Sequence, residues 1–401
     1  MLKIDDNKLN HILSNGVTEI IIEEELRKRL KSGKPLRLKM GFDPSAPDIH
    51  LGHTVGLKKL KEFQDIGHKV VLIVGDWTAR IGDPSGKSKT RPVLTESQVN
   101  TNALTYLDQF FKIIDKDKTE IRWQSEWFKK FNLSDLITLT SKFTVAQFLA
   151  REDFAKRFNE NQPIAITEFI YPLMQAYDSV VIKSDIEFGG TDQKFNLLVG
   201  RDLQQYMGQT PQQCLLMPLL PGTDGIQKMS KSLNNHIGIS ESPNDIFGKT
   251  MSIPDSLIPT YYSYLTQINA EDLDSINNSL KENIKNPMEL KKRLAYNLVS
   301  QFYDLKTANE AQKYFELTVQ YKETPKNIEI YKINPQVDTK ITDILVNSKL
   351  TNSVSESRRL INQNAVKING ENISLLTKLN DLKNNDVISI GKRRWIKISN
   401  I

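Results

Sequence analysis

The run His68-Lys69-Val70-Val71-Leu72-Ile73-Val74-Gly75-Asp76 is short, rich in β-branched residues and almost uniformly apolar. A strand without a polar face is typical of a parallel sheet that is covered on both sides. A second strand is predicted over 35–42, followed by a loop with Pro44 and Pro47 and by a helix from about His50 to Asp65. Strand, loop, helix and strand at this spacing form a βαβ unit, which predicts an α/β fold.

The alternation of strands and helices continues along the first 239 residues. Further strand segments are predicted at Thr119–Trp123, Val180–Ile182, Glu187-Phe188 and Leu215–Leu220. We therefore expect a Rossmann-like doubly wound parallel sheet over 1–239, with a helical insertion at about 131–162. Changes of pattern predict three more parts: an all-helical domain over 240–321, a linker over 322–338, and a small α+β module over 339–401.

Composition limits the class of protein. The chain has 401 residues, of which 39% are hydrophobic and 25% charged, as in an ordinary globular protein. The single cysteine, Cys214, excludes an internal disulfide framework and a cysteine-based zinc cluster. The charged N-terminus does not fit a signal peptide, and no apolar run has the length of a membrane span. We expect a cytoplasmic protein with no membrane partner.

The basic charge is concentrated at one end of the chain. The formal net charge is +6, and residues 340–401 carry 11 Lys and Arg against 5 Asp and Glu, so the rest of the chain is neutral. A basic terminal module on a neutral body predicts a polyanionic partner. A basic face that serves only solubility is the alternative.

Two short motifs predict chemistry at a triphosphate. His50-Leu51-Gly52-His53 places two imidazoles one turn apart where a helix is predicted to begin. Lys228-Met229-Ser230-Lys231-Ser232 places two ammonium groups in a loop after a predicted strand. Helix N-termini attract phosphate, and Gly52 lets a ligand approach the backbone. Neither motif alone supports this interpretation, because Lys–Ser segments are common solvated loops, but together they suit a reaction at an α-phosphorus.

A second group of residues predicts an amino-acid pocket. Tyr171, Gln175 and Asp178 fall at i, i+4 and i+7, which is one stripe of a helix. Their neighbours are largely apolar, so the stripe is predicted to be buried and to need hydrogen-bond partners. Asp83 lies in a Gly-Asp-Pro turn, where it would repel phosphate and suits a cationic ligand. Without other support, Asp83 could equally only cap the turn.

At this point a family resemblance can be stated. The two motifs resemble the ATP-binding motifs of class I aminoacyl-tRNA synthetases, and four more segments narrow the resemblance to bacterial tyrosyl-tRNA synthetases. These segments are Gly41-Phe42-Asp43-Pro44-Ser45-Ala46, Ile81-Gly82-Asp83-Pro84-Ser85-Gly86-Lys87, Tyr171-Pro172-Leu173-Met174-Gln175-Ala176-Tyr177-Asp178 and Gly189-Gly190-Thr191-Asp192-Gln193. The resemblance implies a Rossmann-like catalytic domain, a helical anticodon-binding domain and a homodimer formed through the insertion. It also implies ATP with accompanying Mg²⁺, L-tyrosine and tRNA(Tyr) as substrates.

The resemblance also assigns roles to residues. It implies four catalytic residues: His50 and His53 at the α-phosphate, and Lys228 and Lys231 on the departing pyrophosphate. The implied ATP-binding set is completed by Gly41, Asp43, Gly52, Gly190, Asp192, Met229, Ser230 and Ser232. The implied tyrosine-binding set is Asp83, Tyr171, Gln175, Asp178 and Gln193, in which Asp178 accepts a hydrogen bond from the phenol. No residue is predicted to bind a metal.

One position departs from the family pattern. Many bacterial members carry a tyrosine two residues before the glycine matched by Gly41, and that tyrosine also reaches the phenol. This chain has Lys39 there. Lys39 is expected either to pair with Asp178 or another carboxylate, or to point away from the pocket.

The C-terminal module resembles a small RNA-binding fold shared by these synthetases and a ribosomal small-subunit protein. The match is carried by Ser355-Glu356-Ser357-Arg358-Arg359-Leu360-Ile361 and by the turn at Gly370. Contact with an RNA backbone is therefore expected. The implied tRNA-binding residues are Arg358, Arg359, Lys392, Arg393 and Arg394. Trp395 is either an aromatic platform or part of the core.

The predicted function is ATP-dependent, AMP-forming ligation of tyrosine to tRNA(Tyr) through tyrosyl-adenylate. The attacking carboxylate is already an anion, so catalysis would rest on positioning and on charge stabilisation at the phosphates. Two other classes of function stay open on the sequence: transfer of AMP to a different acceptor, and RNA binding on a scaffold that has lost catalysis. Tryptophan is the closest alternative substrate, and Asp178 disfavours it.

Overall fold

The structure, a computed structural model, describes residues 2, 4–84, 94–282, 284–320, 328–333, 340–375, 377, 382–391 and 394–400. Its helices, in chain order, are Asp6–Ser14 (α1), Glu23–Lys31 (α2), Leu51–Asp65 (α3), Thr78–Ile81 (α4), Glu96–Phe110 (α5), Ser125–Phe128 (α6), Leu133–Thr140 (α7), Val145–Leu149 (α8), Glu152–Asn159 (α9), Ile166–Ile182 (α10), Lys194–Tyr206 (α11), Pro243–Met251 (α12), Ile258–Leu265 (α13), Ala270–Lys281 (α14), Pro287–Phe302 (α15), Leu305–Phe315 (α16), Ile341–Asn347 (α17) and Val354–Asn362 (α18). Its strands are Glu19–Ile21 (β1), Arg37–Phe42 (β2), Lys69–Val74 (β3), Thr119–Trp123 (β4), Ile186–Gly190 (β5), Gln213–Met217 (β6), Glu329–Ile333 (β7), Val366–Ile368 (β8), Glu371–Asn372 (β9), Val387–Ile390 (β10) and Arg394–Asn400 (β11).

Strands β1 to β6 form one sheet in the order β1-β6-β5-β2-β3-β4. Strands β2 to β6 run parallel, whereas β1 is antiparallel to β6. From β2 the chain moves through β3 to β4 in one direction, and β5 and β6 lie on the other side of β2. The strand order therefore reverses between β2 and β5, which confirms the predicted doubly wound sheet. Open α/β sheets bind ligands in the crevice at such a reversal.

The predicted strand at 180–182 is wrong. These residues end α10, and the chain leaves that helix through Lys183 in the left-handed conformation at φ 50°. The β-branched Val180, Val181 and Ile182 favour a strand by propensity, but their packing against neighbouring helices and strands keeps them helical. The strand begins four residues later, at Ile186, and contains the predicted pair Glu187 and Phe188.

The insertion at about 131–162 consists of the short helices α7, α8 and α9. Their buried side chains, among them Leu139, Phe148 and Phe154, pack against α10 and α11. Five large apolar side chains of this region are exposed, namely Leu133, Ile137, Val145 and Phe158 in the insertion and Ile166 at the start of α10.

The chain forms two compact units, Met1–Ser240 with Ile253–Ile284, and Glu241–Ser252 with Lys285–Ile401. The helices after residue 240 are divided between them, since α13 and α14 belong to the first unit and α12, α15 and α16 to the second. The domain bounds predicted from the sequence stay predictions. No helix in the described part of the chain is long and apolar enough to cross a membrane.

The second unit ends in a five-stranded sheet with the order β7-β11-β10-β8-β9. Helices α17 and α18 contribute to its core through Ile341, Ile344, Leu345 and Ile361. Strand β7 lies inside 322–338, the segment predicted as a linker, and pairs in parallel with β11. The alternating Glu329-Ile330-Tyr331-Lys332-Ile333 is compatible with an edge strand, and the residues on either side of it, 321–327 and 334–339, lie outside the described residues.

Candidate active site

A cavity of about 360 Å³ opens where the strand order reverses between β2 and β5. Its lining brings together fifteen of the side chains and backbone segments predicted from the sequence: Gly41, Asp43, His50, Gly52, His53, Asp83, Tyr171, Gln175, Asp178, Gly190, Asp192, Gln193, Lys228, Met229 and Ser230. Segments far apart in the chain meet here because the carboxyl ends of parallel strands share one edge of the sheet. The cavity has the size and mixed polarity of a small-molecule site.

The paired histidines form the N-terminal cap of α3. The backbone N–H of Gly52 donates to Nδ1 of His50 at 3.2 Å, and the backbone N–H of His50 donates to Nδ1 of His53 at 3.2 Å. Each ring therefore uses Nδ1 as an acceptor, so its neutral form carries the proton on Nε2. Both rings line the cavity, where an Nε2–H group is a hydrogen-bond donor for an anionic ligand.

Both histidines are neutral near pH 7. Burial lowers the pKa of His53 to about 4. Burial also holds the pKa of His50 far below its ordinary value, and the positive charge that His53, His236 and Lys231 can carry acts in the same direction. Two neutral N–H donors at a helix N-terminus can bind phosphate oxygens without adding the desolvation cost of two buried cations.

The lysine motif is held next to the start of α3 by the segment that follows it. The backbone N–H of Leu51 donates to the Ile237 carbonyl at 2.9 Å, and that of Ile239 donates to the Ile49 carbonyl at 3.2 Å. Met229 is buried, and its Cβ lies 3.8 Å from the position that a Cβ on Gly52 would take. The two predicted phosphate-binding motifs thus meet at one end of the cavity.

The two lysines of the motif have different surroundings. Nζ of Lys228 lies 2.6 Å from Oδ2 of Asp192, so this ammonium group pairs with a carboxylate that also lines the cavity. Lys231 begins a turn of 3-10 helix, and its charge lowers the pKa values of both His50 and His53. Lys231 and Ser232 are near the cavity but are not among the described residues that line it.

Asp43 joins three elements in the lining of the cavity. Its Oδ2 accepts from the hydroxyl of Tyr171 at 2.9 Å, and its Oδ1 accepts from the hydroxyl of Thr78 at 2.7 Å. Gly75 is needed beside it, because a Cβ there would lie 2.3 Å from Oδ1 of Asp43. Burial, with the neighbouring Asp43 carboxylate, raises the pKa of Tyr171, so its hydroxyl stays protonated and donates.

Asp178 lines the cavity, is buried and accepts two hydrogen bonds. Nε2 of Gln124 donates to its Oδ2 at 2.9 Å, and Nε1 of Trp127 donates to its Oδ1 at 3.1 Å. Burial nevertheless raises the pKa of Asp178 to about 7, although these two donors favour the ionised form. A buried carboxylate with its donors already in place suits recognition of a hydroxyl group.

Two further positions complete the pocket. Nε2 of Gln193 donates to Oδ2 of Asp83 at 2.7 Å, so two residues of the implied tyrosine-binding set are in contact. Lys39 does not contact Asp178; its Nζ lies 2.9 Å from Oε1 of Glu187 and both side chains are fully buried. Of the alternatives open for Lys39, pairing with another carboxylate is the one observed.

Comparisons with known proteins show the family to which this chain belongs. Residues 31–320 match the family model "tRNA synthetases class I (W and Y)", and residues 320–394 match "Tyrosine--tRNA ligase SYY-like C-terminal domain". The chain is 55% identical over 392 residues to the tyrosine–tRNA ligase of Dehalococcoides mccartyi strain CBDB1, with 98% of each chain covered. The chain belongs to the tyrosyl family of class I tRNA synthetases.

One further relative and one solved structure are also similar to this chain. The tyrosine–tRNA ligase of Thermotoga maritima is 48% identical over 388 residues, which cover 97% of this chain and 96% of the relative. The crystal structure of Archaeoglobus fulgidus tyrosyl-tRNA synthetase complexed with L-tyrosine matches with a TM-score of 0.61 at 22% identity, covering 76% of this chain and 99% of that chain. The likeness to the crystal structure concerns the fold alone, whereas the likeness to the Thermotoga maritima protein confirms the resemblance seen in the sequence.

Several side chains of this synthetase site were not predicted from the sequence. They are Thr78, Gln124, Trp127 and Glu187, which hold Asp43, Asp178 and Lys39. Gln124 directly follows β4, so its place at the carboxyl edge of a parallel strand is the signal that could have found it. The others belong to no local motif.

The C-terminal module carries the implied RNA-binding residues of the family. Arg358 and Arg359 lie on α18 and are exposed. Arg394 is also exposed, and its Nη1 donates to the Leu350 carbonyl at 2.6 Å. Lys392 and Arg393 lie outside the described residues. Trp395 is half-buried with a shielded indole Nε1, so it belongs in part to the core of the module.

Proposed function

We propose that the protein activates L-tyrosine with ATP and transfers it to the 3′ end of tRNA(Tyr). One observation carries this proposal. The histidine pair at the start of α3 and the lysine motif meet in the lining of a cavity that also contains the buried Asp178. This places donors for a triphosphate and an acceptor for a phenol in one site. The names of the curated relatives support the same reaction.

In the proposed first step, a carboxylate oxygen of tyrosine attacks the α-phosphorus of ATP. A new O–P bond forms, the bond to the bridging oxygen breaks, and pyrophosphate leaves with the electron pair. No base is required, because the nucleophile is an anion. The Nε2–H groups of His50 and His53 and the positive end of the α3 dipole would stabilise negative charge as it grows on the phosphates.

Lys228 and Lys231 are proposed to act on the departing pyrophosphate. In the structure Lys228 pairs with Asp192, whereas the family resemblance places Asp192 against the ribose of ATP. We infer that Lys228 leaves Asp192 for the phosphates when ATP binds, since a triphosphate carries more negative charge than one carboxylate. Gly190 is needed at this point, because a Cβ there would lie 2.8 Å from Oδ1 of Asp192.

In the proposed second step, a ribose hydroxyl of the terminal tRNA nucleotide attacks the carbonyl carbon of tyrosyl-adenylate. The ester bond to tRNA forms, the bond to phosphate breaks, AMP leaves, and the proton of the hydroxyl is released to solvent. We propose that Mg²⁺ accompanies ATP as part of the substrate. No group of three or more His, Cys, Asp or Glu side chains in the described ranges is placed to hold a metal ion, so phosphate oxygens would supply most of its ligands.

We propose that Asp178 accepts from the phenolic hydroxyl of tyrosine and that Asp83, Tyr171 and Gln175 surround its ammonium group. Tyrosyl-tRNA synthetase is itself the standard example of a site that rejects phenylalanine by about 10⁵, because its buried polar groups would lose their partner. Gln124 and Trp127 fix the Asp178 carboxylate in position, so the phenol finds an acceptor that is already oriented.

The exposed apolar surface of α7 to α10 supports the proposal of a homodimer. Leu133 and Ile166 expose 71% and 78% of their surface, although both are apolar. Light scattering should give twice the 45.9 kDa of one chain. Replacing Ile137, which is also exposed there, by Asp should shift the protein toward the monomer. A monomeric parent would contradict the dimer but not the chemistry.

The basic C-terminal module is proposed to bind tRNA through Arg358, Arg359 and Arg394, with Lys392 and Arg393 as further candidates. A cytoplasmic location is proposed because charged tRNA is used there and the single cysteine is buried and reduced.

The experiment that tests the function is amino-acid-dependent exchange of labelled pyrophosphate into ATP, run in parallel with tyrosine, phenylalanine and tryptophan. Exchange with tyrosine alone is expected. Exchange with tryptophan would keep the mechanism and overturn the Asp178 assignment. Exchange with none of them, together with retained tRNA binding, would leave only the RNA-binding function.

A further inference from the structure

A buried polar network lies directly behind the cavity wall. Lys39 and Glu187 are register partners on the neighbouring strands β2 and β5, so their side chains share one face of the sheet. Nζ of Lys39 donates to the Gln175 carbonyl at 2.7 Å and to Oγ of Ser179 at 2.7 Å, besides its contact with Glu187. All three donors of this ammonium group are therefore used.

Glu187 also accepts hydrogen bonds from side chains other than Lys39. Its Oε1 accepts from Nε2 of Gln175 at 3.0 Å, and its Oε2 accepts from Oγ of Ser179 at 3.2 Å and from Nε2 of Gln212. Gln175 lines the cavity, whereas Lys39 and Glu187 are not among the described residues that do. Gln175 is thus the side chain through which this network reaches the ligand.

The network decides which end of the Gln175 amide faces the ligand. An amide donates through nitrogen and accepts through oxygen, and its orientation follows from its partners. Because Nε2 is held by the carboxylate of Glu187, Oε1 is the end that Gln175 offers to the cavity. An oxygen there can accept from an ammonium group, whereas an NH₂ group would repel it.

A glycine in α11 makes room for this arrangement. A Cβ on Gly200 would lie 2.8 Å from Nε2 of Gln212 and 3.3 Å from Oε2 of Glu187. Glycine in a helix interior costs about 0.5–1 kcal/mol relative to alanine. The helix therefore gives up some stability at the place where the network passes closest to it.

We propose that Lys39 is a positioning residue for tyrosine recognition: it holds Glu187 as an acceptor, and Glu187 turns the Gln175 amide oxygen toward the substrate ammonium group. This inference rests on the proposed function, since it assigns a task within the same site. Without Lys39, Glu187 would be a buried carboxylate with no counter-charge and would take up a proton. A protonated Glu187 can donate to the Gln175 amide oxygen, which turns the NH₂ group toward the ligand.

The test replaces Lys39 by Met, which keeps the length of the side chain and removes its charge. KM for tyrosine in pyrophosphate exchange is expected to rise roughly tenfold to hundredfold, the range for a lost hydrogen bond to a charged group, with KM for ATP unchanged. The inhibition constant of 3-(4-hydroxyphenyl)propionate, which has the phenol and carboxylate but no ammonium group, should stay the same at pH 8. The charges of Lys39 and Glu187 shift the pKa of Asp178 in opposite directions, and both charges are lost in the variant. This difference between two ligands separates positioning of Gln175 from general damage to the pocket.

A matched control is available in the same unit. Lys59 is also a buried lysine, and its Nζ donates to the Ile12 carbonyl at 3.0 Å and pairs with Glu62, away from the cavity lining. Lys59→Met should lower thermal stability without changing KM for tyrosine. If Lys39→Met fails to fold, Lys39→Met/Glu187→Met takes its place, because a buried ion pair replaced by apolar residues often regains stability.

The double variant Lys39→Met/Glu187→Met is also a separate test of the proposal. It should recover thermal stability toward the parent while KM for tyrosine stays raised, because Gln175 has still lost its acceptor. An unchanged KM for tyrosine in either variant, or an equal rise in the inhibition constant of the ligand without an ammonium group, would overturn the positioning role. A parent protein without tyrosine-dependent exchange would instead refute the proposed function.

Discussion

The carboxyl group of Asp178 is expected to make tyrosine recognition depend on pH near neutrality. Burial raises its pKa to about 7 in the ligand-free site. Its ionised form accepts from a phenolic hydroxyl more strongly than the neutral acid does, because a charged acceptor roughly doubles the strength of a hydrogen bond. The specificity constant kcat/KM for tyrosine should therefore rise as the pH rises through 7, because the ionised carboxylate of Asp178 becomes the main form.

The size of this effect follows from the pKa. With a pKa of about 7, about one tenth of the free enzyme carries the carboxylate at pH 6 and about nine tenths at pH 8. The specificity constant for tyrosine in pyrophosphate exchange should thus fall about tenfold from pH 8 to pH 6. His53, with a pKa lowered to about 4, stays neutral across this range and does not contribute.

Asp178→Asn serves as the matched variant, because it keeps the shape and removes the titration. Its profile from pH 6 to pH 8 should be flat. Its specificity constant for tyrosine at pH 8 should be lower by about 10- to 150-fold, which corresponds to about 1.5–3 kcal/mol for a charge-assisted hydrogen bond. The parent rate with phenylalanine should show no such pH dependence. A parent profile that is flat with tyrosine, or a slope that survives in Asp178→Asn, would refute the reasoning.

Three further predictions concern the phosphate site and the RNA module. Gly52→Ala adds a Cβ 3.0 Å from the His50 ring, so exchange should fall at least about tenfold while equilibrium dialysis still detects tyrosine binding. Lys231→Ala should lose adenylate formation and keep tyrosine binding, and a parent-like exchange rate would show that the loop assignment is wrong. Arg358→Glu/Arg359→Glu should weaken tRNA charging and its salt dependence but leave exchange unchanged. The control for this variant is charge reversal of Lys8 and Lys28, which are exposed in the first unit. If Arg358→Glu/Arg359→Glu also loses exchange, the two arginines have a structural role.

The sequence pattern of a single segment was sufficient to predict those helices and strands whose structure depends mainly on that segment. The buried strand β3 follows from its apolar run and the helix α3 from the loop with Pro44 and Pro47 before it, and both lie where they were predicted. Val180–Ile182 shows the limit of this reasoning, since three β-branched residues in a row favour a strand until packing from outside the segment holds them in α10.

The residues of the site also fall into two groups, those that the sequence could identify and those that it could not. Residues within motifs could be named from the sequence, because a helix N-terminus with two imidazoles or a stripe at i, i+4 and i+7 has chemical meaning by itself. Trp127 and Thr78 could not, because each is ordinary where it stands and gains its task only from a partner elsewhere in the chain. Gln124 offered one signal, its place directly after β4, but its partner Asp178 is also distant in the chain. Finding them requires the strand order, which no local segment contains.

Lys39 shows what the strand order adds. The sequence allowed it three surroundings, and the reversal of strand order between β2 and β5 selects one by placing it opposite Glu187. The same reversal opens the cavity beyond the ends of these two strands, so the substrate site and the ion pair behind it have one cause. Replacing Lys39 by the tyrosine common in the family would leave Glu187 buried without a counter-charge. Positions 39 and 187 are therefore expected to change together, because the charge on each is tolerated only through the other.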